Sequence, residues 1–140
     1  MDAQTCLKKI KDNGLKITAR RKAVIEVFLE QKKFLGPYEI RALLRKRSVS
    51  AGLPSLYRIL DELEKNGILV RIENKGRRIY YGMCLHPGSD HHHFICTKCN
   101  RVEEVDFCNF DLISRFIEQK LKGKVQYHSL RIEGLCSKCK

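Results

Sequence analysis

Two Cys-x-x-Cys pairs limit the folds that this 140-residue chain can adopt more than any other feature of its sequence. The first pair is Cys96 and Cys99, and the second, after 36 intervening residues, is Cys136 and Cys139. Four thiolates suit a closed tetrahedral zinc site, and a strand–helix–strand excursion would bring the two pairs together. The spacing therefore predicts a structural Zn²⁺ that ties the last residues to an earlier strand. A redox function is the alternative, although one site would then hold two redundant dithiols.

The positive charge of the chain lies mostly in its first 83 residues. The formal net charge is +12; residues 1–83 hold 19 Lys and Arg against 9 Asp and Glu, and residues 84–140 hold 9 against 7. Such a distribution favours a polyanionic partner, with a solvated basic surface as the alternative. No apolar run approaches the roughly 18 residues of a membrane span, and the N-terminus lacks the apolar core of a secretory signal. We therefore expect a cytoplasmic protein without a membrane partner.

Residues 1–83 have the apolar periodicity of helices followed by a hairpin. A short helix ends near Gly14, a second follows Thr18, and a third begins near Pro37. A fourth spans "SAGLPSLYRILDELEKNG", and "ILVRIE" and "RRIYYGM" flank a turn containing Asn-Lys-Gly, which is typical of a β-hairpin. This order predicts an α+β protein with a winged helix-turn-helix domain at residues 1–83. The fourth helix should bury Leu56, Ile59, Leu60 and Leu63.

The fourth helix is predicted to read DNA, because a helix-turn-helix places the N-terminal residues of its second helix in the major groove. Here these residues are Ser55, Tyr57 and Arg58, which can contact bases or phosphates. In the alternative reading, Tyr57 is a half-buried core aromatic and Arg58 a solvated charge. The basic residues expected to face the phosphate backbone or an adjacent groove are Lys16, Arg20, Arg21, Arg77 and Arg78. The sequence thus predicts a double-stranded DNA partner.

The second half begins after an interruption at Pro87 and Gly88, and we place a hinge at residues 84–90. The sequence pattern of residues 91–140 predicts a small α/β domain. Two strands around the "TKCN" turn are followed by the helix "FDLISRFIEQKL" and a final strand "VQYHSLRIEG". This would be the metal-binding domain closed by "CSKC".

Three consecutive histidines lie at the start of this domain. In a strand, side chains alternate between faces, so His91 and His93 share one face and Asp90 and His92 share the other. Two sites are therefore favoured over one three-histidine site. The nearest unused soft ligand for His91 and His93 is Cys84, across the hinge, and a shared metal would fix the two halves relative to each other. Further candidates are His86 beside Cys84, and Asp111 and His128 for the Asp90 face.

These segments resemble the ferric uptake regulator superfamily over nearly the whole chain. The resemblance rests on "GLKITARR", "GLPSLYRILDELEKNGIL", "HHHFICTKCNRV", "YHSLRIEG" and "CSKC", with "SLYR" in place of the usual Thr-Val-Tyr-Arg. Such proteins are homodimeric, metal-activated transcription factors, mostly repressors. They have an N-terminal winged helix and a C-terminal dimerisation domain with structural zinc on the two Cys-x-x-Cys pairs. By matching positions, the resemblance also implies an auxiliary metal site at Asp90, His92, Asp111 and His128.

The subtype implied by the resemblance is the zinc uptake regulator branch. In iron sensors of this family, a His before the third helix and a Glu from the second wing strand complete the regulatory site. Our alignment places Phe34 and Tyr81 there, which also weakens a peroxide-sensor reading. In the zinc branch a cysteine before the hinge joins two histidines, and Cys84, His91 and His93 match it. The fourth ligand would be Glu73, His86 or water.

We therefore expect a dimeric, zinc-responsive transcriptional repressor of metal homeostasis genes, and not an enzyme. An iron- or peroxide-responsive regulator with Fe²⁺ or Mn²⁺ in the regulatory site is the alternative within the superfamily. A zinc metalloenzyme is less favoured, because the sequence has no HExxH or similar helix motif. A thiol redox switch based on Cys6, Cys84 or Cys108 is a further alternative, although Cys6 and Cys108 are more simply read as small residues.

Overall fold

A computed structural model describes residues 2–73, 76–83, 91–105, 107–128 and 130–140. The chain divides into two compact units, Met1–Pro87 and Gly88–Lys140. The division falls within the expected hinge at residues 84–90, which lies outside the described residues, so the domain bounds stay a prediction. In the described ranges, no helix has the length and apolar character that crossing a membrane requires.

Four helices form most of the first unit, and capping residues set where they begin and end. The Asp2 side chain accepts a hydrogen bond from the Thr5 backbone N–H at 2.7 Å, and Thr18 accepts one from Arg21 at 3.2 Å. Each bond satisfies a helix N-terminal donor that has no partner within the helix. Gly14, with φ +75°, supplies the left-handed residue just after the first helix. The helices are α1 (Ala3–Asp12), α2 (Ala19–Gln31), α3 (Pro37–Lys46) and α4 (Leu53–Lys65).

A β-hairpin follows α4 and forms the wing. Its strands are β1 (Leu69–Glu73) and β2 (Ile79–Met83), which pair antiparallel. Leu35, between α2 and α3, adds an isolated bridge to this hairpin: its N–H donates to the Tyr81 carbonyl at 2.8 Å, and the Tyr81 N–H donates back at 2.9 Å. The predicted winged helix-turn-helix is confirmed. The Leu35 bridge was not predicted, because a single extended residue carries no periodic signal.

The core of the first unit is built on the apolar face of α4. All four residues predicted to form that face are buried, and they pack with residues of α1, α2, α3 and the hairpin. Complete burial of a Leu or Ile side chain stabilises the fold by about 1.5–3 kcal/mol. Because α4 is held from several sides, its N-terminal residues have a defined position on the surface.

The second unit is a three-stranded sheet with one helix. Its elements are β3 (His92–Cys96), β4 (Val102–Val105), α5 (Phe110–Leu121) and β5 (Arg131–Gly134), with strand order β4-β3-β5. Strand β3 pairs antiparallel with β4 and parallel with β5, and α5 lies in the parallel connection. The α/β architecture is confirmed, but β5 is shorter than the strand predicted from "VQYHSLRIEG". Its pairing starts where His93 meets Arg131, and the preceding residues have no strand partner in the part of the chain described.

Helix α5 is apolar on one side but buries none of its residues within the chain. Four of its large apolar side chains are more than half exposed: Leu112, Ile113, Phe116 and Leu121. Exposed apolar patches of this kind mark interaction surfaces. The apolar face of α5 is therefore left without an intramolecular partner among the described residues.

Candidate metal centres and DNA-binding surface

The two Cys-x-x-Cys pairs meet at one end of the second unit's sheet. Cys96 is the last residue of β3, and the parallel register places it opposite Gly134, the last residue of β5. The Thr97 N–H donates to the Gly134 carbonyl at 2.8 Å, which continues the pairing past the strand end. Strand pairing thus brings together the four-cysteine cluster, which consists of Cys96, Cys99, Cys136 and Cys139.

The spacing of these sulfurs fits a metal site and not a disulfide. All four Sγ atoms lie within 4.8 Å of one another, and those of Cys99 and Cys136 are 3.7 Å apart. Tetrahedral zinc with Zn–S bonds of about 2.3 Å separates its sulfurs by roughly 3.8 Å, whereas a disulfide requires about 2.05 Å. The cluster therefore suits a structural Zn²⁺ held by four thiolates, as the sequence predicted.

The thiols of this cluster differ in acidity. Hydrogen bonds from the Cys136 and Cys99 backbone lower the pKa of Cys96 to about 6. A hydrogen bond with the Cys136 thiol, together with burial, raises the pKa of Cys139 to about 12. Four adjacent sulfurs cannot all ionise by themselves, because their negative charges repel. A divalent cation is what allows the full set of thiolates that the geometry presents.

A second cluster forms where His91, the residue before β3, lies near His93 on β3 and Glu104 on β4, and we call it the His91 cluster. The β3–β4 register places Glu104 directly opposite His93. The His91 and His93 rings are 4.8 Å apart, as the alternation of side chains in a strand requires. Burial lowers the pKa of His93, and His91 lowers it further, whereas Glu104 raises it. Near neutral pH this imidazole is therefore neutral and can offer its lone pair to a metal.

The other predicted ligands of the regulatory site are not part of the His91 cluster. Cys84 and His86 lie outside the described residues. Glu73 is exposed at the end of β1 in the first unit. Glu104 was missed by the sequence analysis, since its position opposite His93 depends on strand register and no local motif marks it.

A third cluster, the His92 cluster, consists of His92, Cys108 and His128. The structure brings together two of the four predicted auxiliary ligands, His92 and His128. Asp90 lies outside the described residues, and Asp111 is exposed in the first turn of α5 and does not belong to the cluster. Cys108, which the sequence analysis read as a plain small residue, occupies the position expected of a third ligand.

Four of the eight predicted DNA-contacting residues lie where the N-termini of α2 and α4 meet. They line a cleft of about 400 Å³ together with Thr18, Ile59 and Glu62: Arg20, Arg21, Ser55 and Arg58. Helix N-termini carry partial positive charge and unsatisfied N–H groups, which favour phosphate. The cleft therefore combines two such helix ends with exposed guanidinium groups.

Within this cleft the arginines have different roles. The Arg21 Nε donates to Glu62 Oε2 at 3.0 Å, and its guanidinium also donates to the Lys16 carbonyl, so it ties α2 to α4. Arg20 and Arg58 are exposed and present their charge to solvent. Lys16 is also exposed, and Tyr57 is half-buried on α4. Arg77 and Arg78 are exposed at the start of the second half of the hairpin, where Arg77 has φ 57°.

The donor clusters and the basic winged helix agree with the comparison to known families. The model of the "Ferric uptake regulator family" matches residues 12–133. The chain belongs to the ferric uptake regulator family. The resemblance inferred from the sequence is thereby confirmed, and the protein is a metal-responsive regulator.

Named relatives differ in the metal to which their names refer. The ferric uptake regulation protein of Staphylococcus epidermidis is 29% identical over 99% of this chain and 97% of its own length. The structure of the Helicobacter pylori ferric uptake regulator, described as having three functional metal-binding sites, is 25% identical. It covers 99% of this chain and 94% of its own, with a TM-score of 0.74. A zinc uptake regulator complexed with zinc and DNA shares the fold at 22% identity and a TM-score of 0.74, covering 97% and 91%.

Phe34 and Tyr81, the two residues that the resemblance is expected to place at iron-sensor ligand positions, are aromatic core residues of the first unit. Phe34 is 3% exposed and Tyr81 1% exposed. The Tyr81 hydroxyl donates to Asp61 Oδ1 at 3.2 Å, and burial together with Asp61 raises the pKa of Tyr81 to about 12. Tyr81 is therefore a neutral phenol at physiological pH and a poor metal ligand. The Phe34 ring has no donor atom for Fe²⁺, and the Tyr81 oxygen is protonated and hydrogen-bonded to Asp61.

Proposed function

We propose that this protein is a homodimeric, zinc-responsive repressor of transcription that binds a double-stranded operator and controls metal homeostasis genes in the cytoplasm. The observation that carries the proposal is the convergence of His91, His93 and Glu104 immediately after the predicted hinge. A sensor site at this place in the chain can bias the position of the winged helices, because its remaining ligands are expected from the hinge itself.

The regulatory step is a population shift between two arrangements of the winged helices. A bound divalent cation supplies the charge that holds the imidazoles, the Glu104 carboxylate and the predicted Cys84 thiolate together. These ligands must bind the cation more tightly in the DNA-competent arrangement than in the other arrangement. A coupling of about 1–3 kcal/mol would change operator affinity roughly 5- to 150-fold.

DNA binding is assigned to the cleft between α2 and α4 and to the wing. Arg20 and Arg58 would contact phosphates at the helix N-termini, while Ser55 and Tyr57 face the bases of the major groove. The exposed apolar face of α5 supports the homodimer, because a second copy would cover it. Two winged helices in a dimer would then meet operator half-sites about one helical turn apart, or a multiple of that spacing.

Zinc is proposed as the effector because of the donor set. A thiolate with two imidazoles suits Zn²⁺ better than Mn²⁺, and the aromatic residues Phe34 and Tyr81 replace the aligned iron-site ligands. Without Cys84, however, two histidines and one carboxylate are a set that also suits Fe²⁺. An iron-responsive regulator is therefore the second candidate, and it is favoured by the observed His91 cluster and by relatives named for ferric uptake.

The test is metal-titrated DNA binding by the full-length protein. Operators would be selected from a random duplex library with Zn²⁺ present, and affinity then measured against free Zn²⁺, anaerobic Fe²⁺ and Mn²⁺. We expect Zn²⁺ to raise affinity 5- to 150-fold at the lowest free concentration, and Cys84→Ser to abolish the increase. Cys6→Ala, which alters a buried thiol of the first unit, is the matched control. A Cys84→Ser protein that keeps its zinc response contradicts the sensor assignment, and a response to Fe²⁺ alone selects the second candidate.

The DNA-binding surface is tested in the same assay by Arg58→Ala. Loss of one phosphate contact should weaken binding and reduce the slope of log affinity against log salt by about 0.9. Lys65→Ala removes one exposed charge from the other end of α4 and should leave the slope almost unchanged. Equal slopes for the two variants would contradict the assignment of the cleft.

A further inference from the structure

The guanidinium of Arg21 is already held by protein acceptors at all three of its nitrogens. Nε and Nη2 both donate to Glu62 Oε2, Nε at 3.0 Å, and Nη1 donates to the Lys16 carbonyl oxygen. The Arg21 side chain is 15% exposed, whereas Arg20 and Arg58 are exposed residues. Arg21 therefore has less capacity to donate to a phosphate than the other two arginines of the cleft.

Glu62 lies where it could pair with Arg58 instead of Arg21. Arg58 and Glu62 are four residues apart on α4, so their side chains share one face of the helix, and both line the cleft. The described residues nevertheless give Arg58 no ion-pair partner, while Glu62 is held by Arg21. The choice that Glu62 makes between the two arginines therefore decides whether the Arg58 guanidinium is available in the cleft.

The contact with Arg21 is the stronger of the two arrangements open to Glu62. Two N–H groups of one guanidinium converge on a single carboxylate oxygen, and such charge-assisted hydrogen bonds are stronger than neutral ones. The two side chains are only 15% and 27% exposed, so salt screens this pair less than a pair on an open helix surface.

Removal of Arg21 would leave Glu62 without its counter-charge. The Glu62 side chain is 27% exposed, so water hydrates the carboxylate only in part, and a partly buried charge gains from a partner. Arg58 is the cation that the same face of α4 supplies, one helical turn away. We therefore expect the Glu62 carboxylate to draw the Arg58 guanidinium out of the cleft when Arg21 is absent.

We propose that Arg21 is a positioning residue of the DNA-binding surface and not a DNA contact itself: it holds Glu62 so that Arg58 stays available for an operator phosphate. This role differs from the expectation from the sequence, in which Arg21 faces the phosphate backbone. The inference rests on the proposed DNA-binding function, and it adds the residue that keeps one of the phosphate contacts unpaired.

The test removes Arg21 and then the charge of its partner, in the full-length, zinc-loaded protein bound to a selected operator. Arg21→Ala should lower operator affinity about tenfold and reduce the slope of log affinity against log salt by about 0.9, because Arg58 would be lost as a phosphate contact. Adding Glu62→Gln, which keeps the size of the side chain and removes its charge, should restore the slope and bring the affinity to within about threefold of the parent. A direct phosphate contact by Arg21 predicts no such rescue.

Glu30→Gln is the matched control for the rescue. Glu30 of α2 pairs with Arg47 at the end of α3, and it is not among the described residues that line the cleft. Introduced into Arg21→Ala, Glu30→Gln should leave the affinity and the salt slope unchanged. Urea denaturation of each variant is measured in parallel, since a role in folding alone would lower the free energy of unfolding without changing the salt slope. Rescue by Glu30→Gln, or no rescue by Glu62→Gln, overturns the proposal.

A second measurement uses the protein without DNA. Modification of each arginine by phenylglyoxal is followed by peptide mass spectrometry, because the reagent attacks the deprotonated guanidine, which a bound carboxylate disfavours. In the native chain Arg21 should react at least about fivefold more slowly than Arg58. In Arg21→Ala the reaction of Arg58 should slow at least about threefold, and Glu62→Gln should reverse this change. An Arg58 rate that stays the same in Arg21→Ala, or an Arg21 that reacts as fast as Arg58 in the native chain, contradicts the proposal.

The two measurements separate failure of this inference from failure of the proposed function. A parent protein that binds no duplex at any metal concentration would overturn DNA binding, and with it the role of Arg21 there. Operator binding by the parent without rescue of Arg21→Ala by Glu62→Gln would overturn the role of Arg21 alone.

Discussion

At the scale of single residues, Gly82 determines how the wing meets the helices. A Cβ atom at this position would lie 2.3 Å from the Phe34 ring, which is 3% exposed and has little room to move. Strand β2 therefore approaches the Phe34 segment as closely as a residue without a side chain permits. The Leu35–Tyr81 bridge beside it depends on this approach.

Gly82→Ala should lower the free energy of unfolding of the first unit by about 1–3 kcal/mol, the usual cost of overpacking a core. Urea denaturation followed by circular dichroism measures the change. Phe34→Leu introduced with it should recover part of the loss, since the smaller side chain leaves space. Gly123→Ala is the control, because the nearest atom, on Ile117, lies at an ordinary 3.5 Å. Equal stability of Gly82→Ala and the parent would contradict this account.

Tyr81 gives the first unit a dependence on alkaline pH. Its folded pKa is raised by burial and by Asp61 to about 12 from an ordinary value of 10.0. The unfolded chain loses this proton first, so the contribution of the phenol is complete below about pH 10 and falls as the pH approaches 12. The stability difference between the parent and Tyr81→Phe should therefore shrink over that range. Tyr127→Phe, at a side chain 82% exposed, should show no such trend.

At the scale of elements, β5 depends on the four-cysteine cluster. The strand has four residues and pairs with β3 alone, which is little to hold a short strand in place. The cluster joins the residues after β5 to the end of β3, so a bound metal would close this side of the sheet. Helix α5, which precedes β5 in the chain, has in contrast an exposed apolar side and buries none of its residues.

Cys139→Ser should release zinc and loosen β5. We expect amide hydrogen exchange at Arg131–Gly134 to increase by at least tenfold, while exchange in α4 stays as in the parent, because α4 belongs to a separate core. Elemental analysis would show one zinc fewer per chain. Cys6→Ala, with the same loss of one thiol, should retain the zinc. Unchanged protection of β5 after loss of the metal would show that strand pairing alone holds it.

At the scale of the whole molecule, the exposed apolar face of α5 is the part that a single chain leaves incomplete. Phe116→Glu should weaken the proposed dimer by about 2 kcal/mol or more, roughly 30-fold, because a charge would be buried in the interface. Gln119→Glu adds the same charge at an exposed polar position of α5 and should change the dimer's dissociation constant little. Sedimentation equilibrium measures both. A Phe116→Glu protein that dimerises like the parent would place the interface elsewhere.

The sequence by itself determined the features that depend on near neighbours. Periodicity over one or two turns predicted the helices and the buried face of α4, and alternation along β3 predicted that His91 and His93 would be separated from His92. Repetition of Cys-x-x-Cys marked the four-cysteine cluster, because each pair is a local turn. These patterns arise from backbone geometry within a few residues.

Only the tertiary structure decided which distant donors complete the clusters. Glu104 reaches His93 through the register of β3 and β4, and Cys108 reaches His128 because α5 returns the chain to the sheet. Neither residue has a local motif, and Asp111, which the aligned family positions had favoured, faces solvent instead. Metal ligands converge through the packing of separate segments, and pairwise spacing along the chain does not contain that information.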